Sequence, residues 1–179
     1  MTWPEKIKVA VNLSPAQFKR GNLVHGVMNA LAASGLPASR LELEITESLL
    51  LQENESTLDT LRQLKALGVG ISLDDFGTGH SSLSYLRRYP FDKIKIDQSF
   101  VRELSSDAGC VAIVRAIVSL GSGLGMATTA EGVETEEQLR LLRDLGCNEV
   151  QGYLFSRPKP AKDIVELLAH QSDAIGTAA

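Results

Sequence analysis

The sequence predicts an α/β fold in which six consecutive βα units build a parallel sheet. Short runs of strand-forming residues alternate along the chain with longer segments of helical periodicity. Segments of that length supply the long crossover that two parallel strands require. The 179 residues are 44% hydrophobic and 22% charged, which is typical of a globular domain with its own hydrophobic core.

The six predicted strands are short, and the first four are rich in valine, isoleucine and leucine. The first reads Ile-Lys-Val-Ala-Val-Asn-Leu, and the fourth reads Asp-Lys-Ile-Lys-Ile-Asp. In chain order, the strands cover residues 7–13, 40–46, 69–74, 92–97, 126–130 and 149–153. A helical segment follows each of them, as the βα order requires.

Three of the predicted helices end at a glycine, which readily adopts the conformation that closes a helix. The helices cover about residues 16–33, 56–67, a short segment up to Pro90, 108–120, 136–145 and 162–170. In the second helix, leucines recur at every third position from 58 to 67 and mark one apolar face. The tail, residues 171–179, is small and polar, and we expect it to be disordered.

Composition excludes several functional classes. A net charge of −4 and only 5% aromatic residues argue against a DNA or RNA partner. No apolar run approaches the roughly 20 residues of a membrane span, and the N-terminus lacks the apolar core of a signal peptide. We therefore expect a cytoplasmic protein with no membrane segment in this chain. Cys110 and Cys147 are expected to be buried free thiols.

Polar side chains stand at or just beyond the carboxyl end of nearly every predicted strand. They are Asn12, Glu44, Glu47, Asp74, Asp75, Lys95, Asp97, Glu131, Glu134 and Gln151. In a parallel barrel, these strand ends converge on one mouth, where active sites form. One such residue would ordinarily be a helix cap or a turn residue, but six successive units with such residues indicate a shared site.

The chemistry of this set points to divalent cations. Several carboxylates in one mouth repel each other, and bound cations are the usual remedy. Oxygen ligands suit Mg²⁺ or Mn²⁺, whereas zinc prefers histidine or cysteine, and no histidine of this chain lies on a predicted strand. If the chain turns at the strand end, Asp74 and Asp75 can both face the mouth, and one carboxylate can bridge two cations. Lys95 shares a strand face with Asp97, where it could hold an attacking water or stabilise phosphoryl charge.

Two enzyme classes fit these residues. One is a two-metal phosphodiesterase. The other is an enolase-like lyase or racemase, in which a lysine on a strand is the base and acidic residues hold Mg²⁺. The adjacent Asp74 and Asp75 favour the phosphodiesterase.

Six motifs then identify a family. They are Asn12-Leu-Ser-Pro15, Glu44-Ile-Thr-Glu-Ser48, Asp74-Asp-Phe-Gly-Thr-Gly79, Lys95-Ile-Asp97, Ala130-Glu-Gly-Val-Glu134 and Gln151-Gly-Tyr-Leu-Phe-Ser-Arg-Pro158. In order and spacing, they resemble the EAL-domain family, bacterial phosphodiesterases specific for cyclic di-GMP. The resemblance runs from about residue 8 to residue 160. It implies a (β/α)8 TIM-type barrel that converts cyclic di-GMP to pGpG with two Mg²⁺ or Mn²⁺ ions.

The resemblance also implies roles for the residues. Asn12, Glu44 and Asp74 would ligate the first metal, and Asp74, Asp75 and Glu131 would ligate the second. Lys95 and Asp97, with Glu131, would form the catalytic group that positions or activates the water. Glu47 would anchor the loop after the third strand, and Glu134 and Gln151 would support the site. The loop residues Phe76, Gly77, Thr78 and Gly79 would link the metal site to a homodimer interface.

One family feature is missing from the sequence. The Glu-Ala-Leu motif of the family's first strand, whose glutamate is a metal ligand, does not occur. The resemblance therefore implies an incomplete (β/α)8 barrel, an EAL-type domain over residues 1–170 that lacks the N-terminal strands and the first helix. We expect the catalytic activity of such a truncated chain to be impaired. The alternative is a non-catalytic module that binds cyclic di-GMP or another protein.

Overall fold

The computed structural model describes residues 7–19, 21–50, 55–79 and 83–164. Six parallel strands form one sheet, and their order in space is their order in the chain. The strands are β1 Val9–Leu13, β2 Leu41–Thr46, β3 Gly70–Phe76, β4 Lys93–Ile96, β5 Ala127–Ala130 and β6 Glu149–Val150. The helices are α1 Pro15–Lys19, α2 Leu23–Ser34, α3 Glu47–Leu50, α4 Glu55–Ala66, α5 Leu83–Arg88, α6 Gln98–Arg102, α7 Ala108–Gly123 and α8 Glu136–Asp144.

The sheet curls into part of a barrel, with helices in the connections between its strands. Each strand pairs in parallel with the next one along the chain, so every connection is a crossover. This confirms the predicted α/β fold, an incomplete TIM-type barrel of six βα units. The carboxyl ends of all six strands therefore meet at one edge of the sheet, which we call the mouth.

Apolar and polar side chains alternate along the strands, so one face of the sheet is apolar and the opposite face is polar. In β2, Leu43 and Ile45 are 2% and 0% exposed and belong to the hydrophobic core. Glu42 and Glu44 alternate with them and therefore point to the opposite, concave face. Leu61 of α4 is fully buried in the core, as its predicted apolar face required. Each such burial contributes about 1.5–3 kcal/mol to folding.

The helix predicted over residues 16–33 is wrong as a single element. The chain forms two helices there, α1 and α2, and Gly21 lies between them with a φ of 70°. That value falls in the left-handed region, which glycine adopts at no steric cost and which a continuous helix excludes. Apolar residues recur at helical spacing on both sides of Gly21, so the sequence pattern gave no sign that the helix is interrupted there.

The sixth strand is also shorter than predicted, since β6 ends at Val150 rather than at residue 153. The backbone of Gly152 crosses that of Val133 so closely that a Cβ there would lie 2.1 Å from the Val133 oxygen. Such an approach requires glycine and ends the strand. Of the predicted last helix, the structure describes only Ala161–Asp163, as a 3₁₀ turn, and Ile164. The rest of that helix and the tail, 171–179, lie outside the described residues.

Two short helices, α3 and α6, were not predicted, because four or five residues are too few to show a helical period. Both of them begin directly beyond a strand that leads to the mouth. Cys110 and Cys147 are free thiols, the first buried and the second only half-buried. Within the described ranges, no helix combines the length and the apolar character that crossing a membrane demands.

Candidate functional site

Lys95 lies at the centre of the mouth. Its Nζ is 2.9 Å from Glu44 Oε1, 2.9 Å from Asp74 Oδ1 and 2.7 Å from Glu131 Oε1. These carboxylates come from β2, from β3 and from the turn after β5, and the lysine from β4 is only 4% exposed. An ammonium has three N–H donors, so one group can satisfy all three carboxylates. Four of the predicted site residues are thereby joined in one cluster.

The charge on Lys95 is stabilised by its partners. Burial by itself would lower the pKa of the ammonium, but the hydrogen bonds to Glu131, Glu44 and Asp74 outweigh burial and raise that pKa well above its usual value. Lys95 is therefore a cation at any pH near neutrality, and its positive charge partly compensates the surrounding carboxylates.

Asn12 completes a first group of oxygens. One atom of its side-chain amide lies 3.2 Å from both Glu44 Oε2 and Asp74 Oδ2. As nitrogen, this atom donates to both carboxylates; as oxygen, it joins them in a group of three oxygens, the donor set that Mg²⁺ and Mn²⁺ prefer. Glu44 and Asp74 thus each turn one oxygen to Lys95 and the other to Asn12. These three residues fit a divalent cation in the way the resemblance implies.

A second group shares Asp74. One carboxylate oxygen each from Asp74, Asp75 and Glu131 lie within 4.8 Å of one another, close enough to hold one metal ion. Two neighbours in a regular strand would point to opposite faces, but Asp75 has a φ of 56° and the β3–β4 register shifts between Leu73 and Phe76. This bulge turns both aspartates toward one point. Aspartate is one of the few residues that tolerate the left-handed region.

Burial and mutual repulsion raise the pKa values of two of these carboxylates. The pKa of Asp75 is raised, first by burial and then by the charges of Asp74 and Asp97. The pKa of Glu131 is also raised, chiefly by burial and with a contribution from Asp74, although Lys95 opposes the shift. A buried excess of negative charge is what a divalent cation would neutralise. The donor chemistry and the electrostatics therefore both fit a metal centre.

Asp97 and Gln151 lie at the rim. Asp97 caps helix α6, because its Oδ1 accepts a hydrogen bond from Ser99 N at 2.9 Å. Its charge also acts on Asp75, so the two carboxylates are near each other. Gln151 Nε2 donates to Glu131 Oε1 at 2.7 Å, the same oxygen that accepts from Lys95. The structure thus brings both residues to the cluster.

Glu134 is placed differently. Its backbone N–H donates to Gln138 Oε1 at 2.8 Å, within a capping box that Thr135 and Gln138 form at the start of α8. Its side chain is exposed and lines a cleft next to the cluster. A supporting role would therefore act through this cleft.

The loop beyond β3 packs against Glu47. This glutamate is 6% exposed, and a Cβ on Gly79 would lie 3.3 Å from its Oε2. Gly77 has a φ of 97°, and a Cβ on this residue would lie 2.9 Å from the Phe100 ring. Thr78 Oγ1 donates to the backbone oxygen of Asp75 at 2.9 Å. The loop thus packs closely against Glu47 and Phe100, and the anchoring role of Glu47 stays a prediction.

Phe76 is not a loop residue as predicted. It is the last residue of β3, is 6% exposed, and pairs with Ile96 of β4. The bulge at Asp75 explains this, because it adds one residue to the strand and returns the next side chain to the core. Residues 80–82 of the predicted loop lie outside the described residues.

The cleft beside the cluster holds residues to which the sequence analysis gave no role. It has a volume of about 710 Å³, and its walls include Glu131, Gln151, Tyr153, Arg157 and Lys159. Tyr153 is 51% exposed, and the Arg157 guanidinium lies 4.7 Å from the centre of its ring. The basic residues Arg157, within the Gln151 motif, and Lys159, just after it, were the signal that could have identified this cleft.

Comparison with known proteins shows the family of this chain. A model of the family described as the EAL domain matches residues 1–158. The bifunctional diguanylate cyclase/cyclic di-GMP phosphodiesterase MucR of Pseudomonas aeruginosa is 50% identical over 161 residues, which is 90% of this chain. The cyclic di-GMP phosphodiesterase NbdA of the same organism is 45% identical over 171 residues, or 95% of the chain. The chain spans 24% of the length of MucR and 22% of that of NbdA.

Solved structures show the same fold. The MucR phosphodiesterase in complex with cyclic di-GMP matches with a TM-score of 0.83 and 51% identity, over 88% of this chain and 64% of that one. Klebsiella pneumoniae BlrP1 with manganese and cyclic di-GMP matches with a TM-score of 0.79 and 36% identity, over 84% of this chain and 39% of that one. A calcium complex of BlrP1 matches equally well.

Proposed function

The chain belongs to the EAL domain family, and from this premise we propose that it hydrolyses cyclic di-GMP to pGpG with two divalent cations, Mg²⁺ or Mn²⁺. The observation that carries the proposal is the pair of oxygen groups that share Asp74. Two cations bound side by side are the standard arrangement for phosphodiester hydrolysis. The relatives named above act on or bind cyclic di-GMP, and BlrP1 does so with manganese.

Five residues would hold the cations. Asn12, Glu44 and Asp74 would bind one, and Asp74, Asp75 and Glu131 the other. When bound, the two cations lower the pKa of a water and offset the charge that develops on the phosphoryl oxygens. The carboxylates would fix both cations against the concave face of the sheet.

Lys95 and Asp97 would have different roles in the reaction. Lys95 donates all three N–H groups to carboxylates, so its role is to hold these ligands in place and to add positive charge beside the phosphoryl group. The oxygen of the water would form a bond to phosphorus, and Asp97 would accept the proton that the water loses. The P–O bond to the ribose 3′ oxygen then breaks, and that oxygen takes up a proton. An enolase-like lyase has less support, because its base would have to be a neutral lysine.

The cleft next to the cluster suits the nucleotide. Tyr153 offers an exposed aromatic ring on which a base can stack, and Arg157 and Lys159 offer positive charge for phosphate. Gln151 lines the cleft and donates a hydrogen bond to Glu131, so it would contact both the nucleotide and a proposed metal ligand. The acidic cluster borders this cleft, so the scissile phosphate would lie next to the residues that would hold the cations.

The direct test is incubation of the purified protein with cyclic di-GMP and Mn²⁺ or Mg²⁺, followed by chromatographic detection of pGpG. Because the sequence contains no Glu-Ala-Leu motif to supply its metal-binding glutamate, we expect pGpG to form with either cation at an impaired rate, and not with excess EDTA. Calorimetry with cyclic di-GMP then separates the alternatives. Binding without pGpG would replace the hydrolase by a non-catalytic binding module, and neither binding nor turnover would overturn both. Light scattering with and without cyclic di-GMP tests the expected homodimer.

A further inference from the structure

A second group of charged residues lies on the concave face beneath the mouth. Lys93 Nζ is 2.9 Å from Glu42 Oε2 and 2.6 Å from Glu149 Oε2. Thr129 Oγ1 donates to the same Glu149 oxygen at 3.1 Å. The side chains of Lys93 and Glu42 are 11% and 8% exposed, whereas that of Glu149 is 49% exposed. We call Glu42, Lys93 and Glu149 the lower ion-pair layer.

This layer repeats the mouth one step down the same strands. Its members come from β2, β4 and β6, and each precedes a residue of the mouth by two positions. The pairs are Glu42 with Glu44, Lys93 with Lys95, and Glu149 with Gln151. Since side chains two apart in a strand face the same way, each member of the lower layer lies directly beneath a mouth residue of the same chain segment.

Strand β6 is short, and backbone and side-chain hydrogen bonds hold its two flanks: Asn148 Oδ1 accepts from Thr128 N at 2.8 Å, and Val133 N donates to the Gln151 oxygen at 3.1 Å. It consists of Glu149 and Val150, and its register with β5 has two residue pairs. Beyond it, Gln151 N donates to the Ala130 oxygen at 2.9 Å, and Gln151 Nε2 donates to Glu131 Oε1. The Lys93–Glu149 contact ties this short strand to β4, two strands away. Lys93 is therefore one of the groups that link the strand before Gln151, and through Gln151 also Glu131, to the rest of the sheet.

The charges favour a persistent contact. Burial by itself would lower the pKa of Lys93, but hydrogen bonds to Glu149 and Glu42 outweigh it and raise that pKa. The pKa of Glu149 is lowered, because its hydrogen bond from Lys93 and the charge of Lys93 outweigh the effect of burial. Both partners are thus charged near neutral pH. A charge as buried as that of Glu42 is costly without its partner.

We propose that Lys93 is a positioning residue: by joining Glu42 of β2 to Glu149 of β6, it sets the place of Gln151 and holds Glu131 in the geometry of a metal ligand. The inference rests on the proposed two-cation function and deepens it. Groups behind metal ligands typically change metal affinity 10- to 100-fold when removed. Lys93 touches none of the five proposed ligands, so its effect is transmitted through the strands.

The test compares Lys93→Met with Lys65→Met in the purified protein. Lys65 forms an equally short ion pair, 2.6 Å to Asp92 Oδ1, but bonds to no mouth residue. Mn²⁺ affinity is measured by electron paramagnetic resonance, and hydrogen exchange follows the Gln151 amide. We expect Lys93→Met to weaken Mn²⁺ binding about tenfold and to speed exchange at Gln151, while Lys65→Met changes neither. Lys93→Arg, which keeps the charge, should restore most of the affinity.

The opposite result is equally definite. If Lys93→Met leaves Mn²⁺ affinity and Gln151 exchange within about twofold of the parent protein, the layer only stabilises the fold and the inference is wrong. Should Lys93→Met fail to fold, Glu149→Gln makes the same comparison at a half-exposed position, with a smaller effect expected in the same direction. If the unaltered protein binds no Mn²⁺, the two-cation function fails, and exchange at Gln151 still decides whether Lys93 positions it.

Discussion

Lys95 Nζ lies 2.7 Å from Glu131 Oε1, and the same oxygen accepts a hydrogen bond of 2.7 Å from Gln151 Nε2. One carboxylate oxygen thereby connects β4, the turn after β5 and the residue that follows β6. Glu131 is also within reach of Asp74 and Asp75. A change at either donor should therefore be felt at the proposed metal centre.

Lys95→Met should abolish measurable turnover and also destabilise the metal-free protein. It removes the cation that Glu44, Asp74 and Glu131 share, and breaking a buried ion pair from one side costs about 3–5 kcal/mol. Mn²⁺ should recover part of this loss, because it offsets the same carboxylates. Thermal unfolding with EDTA and with Mn²⁺ measures both effects. Lys65→Met is the control, and an equal loss of stability there would remove the special role of Lys95.

Asp75→Asn should keep the fold and lose hydrolysis by a factor of about 100 or more. Asparagine tolerates the φ of 56° at this position but supplies no charge for the second cation. Asp75→Ala should in addition cost about 1–2 kcal/mol of stability, since alanine is strained in that conformation. Urea unfolding and the pGpG assay separate the two effects. Exposed Asp144 provides the control Asp144→Asn, and hydrolysis by Asp75→Asn at the control rate would exclude Asp75 from the site.

Gly77→Ala should destabilise the protein by about 1–3 kcal/mol. The residue has a φ of 97°, and its new Cβ would lie 2.9 Å from the Phe100 ring. Gly123→Ala is the matched change, because Gly123 ends helix α7 and has open space around it. Alanine there should be neutral or stabilising by up to about 1 kcal/mol. Urea unfolding of both variants gives the comparison, and equal stabilities would show that the loop relaxes around Phe100.

The Lys93–Glu149 pair should make stability depend on pH in the acidic range. The pKa of Glu149 in the folded protein is below its ordinary value of 4.5, so its stabilising effect is complete above that value and is lost as the pH falls through the lower folded value. The stability difference between the parent protein and Glu149→Gln should thus be constant from pH 7 to about 5 and shrink below 4.5. Urea midpoints in EDTA measure it. A difference that grows on acidification would reverse the sign assigned to this contact.

Much of the fold could be predicted because alternation and length are local properties of the chain. The strands β2 to β5 fall within two residues of their predicted bounds, since each is a short run of small, β-branched or aliphatic residues beside a clear helical pattern. The errors in the element bounds occurred at single glycines: Gly21 has a left-handed φ of 70°, and the backbone of Gly152 crosses that of Val133 closely. Such backbone conformations follow from contacts that periodicity does not record.

The sequence by itself determined the family, the parallel order of six βα units and the set of polar residues at the strand ends. Only the tertiary structure decided how that set is connected. The bulge at Asp75 turns two neighbouring aspartates to one point, and Lys95 forms an ion pair with one oxygen of each of three carboxylates. It also revealed the ion-pair layer of Lys93 beneath the mouth. The physical reason is that the spacing of residues in a strand fixes the face on which a side chain lies, whereas partners on other strands depend on register and curvature.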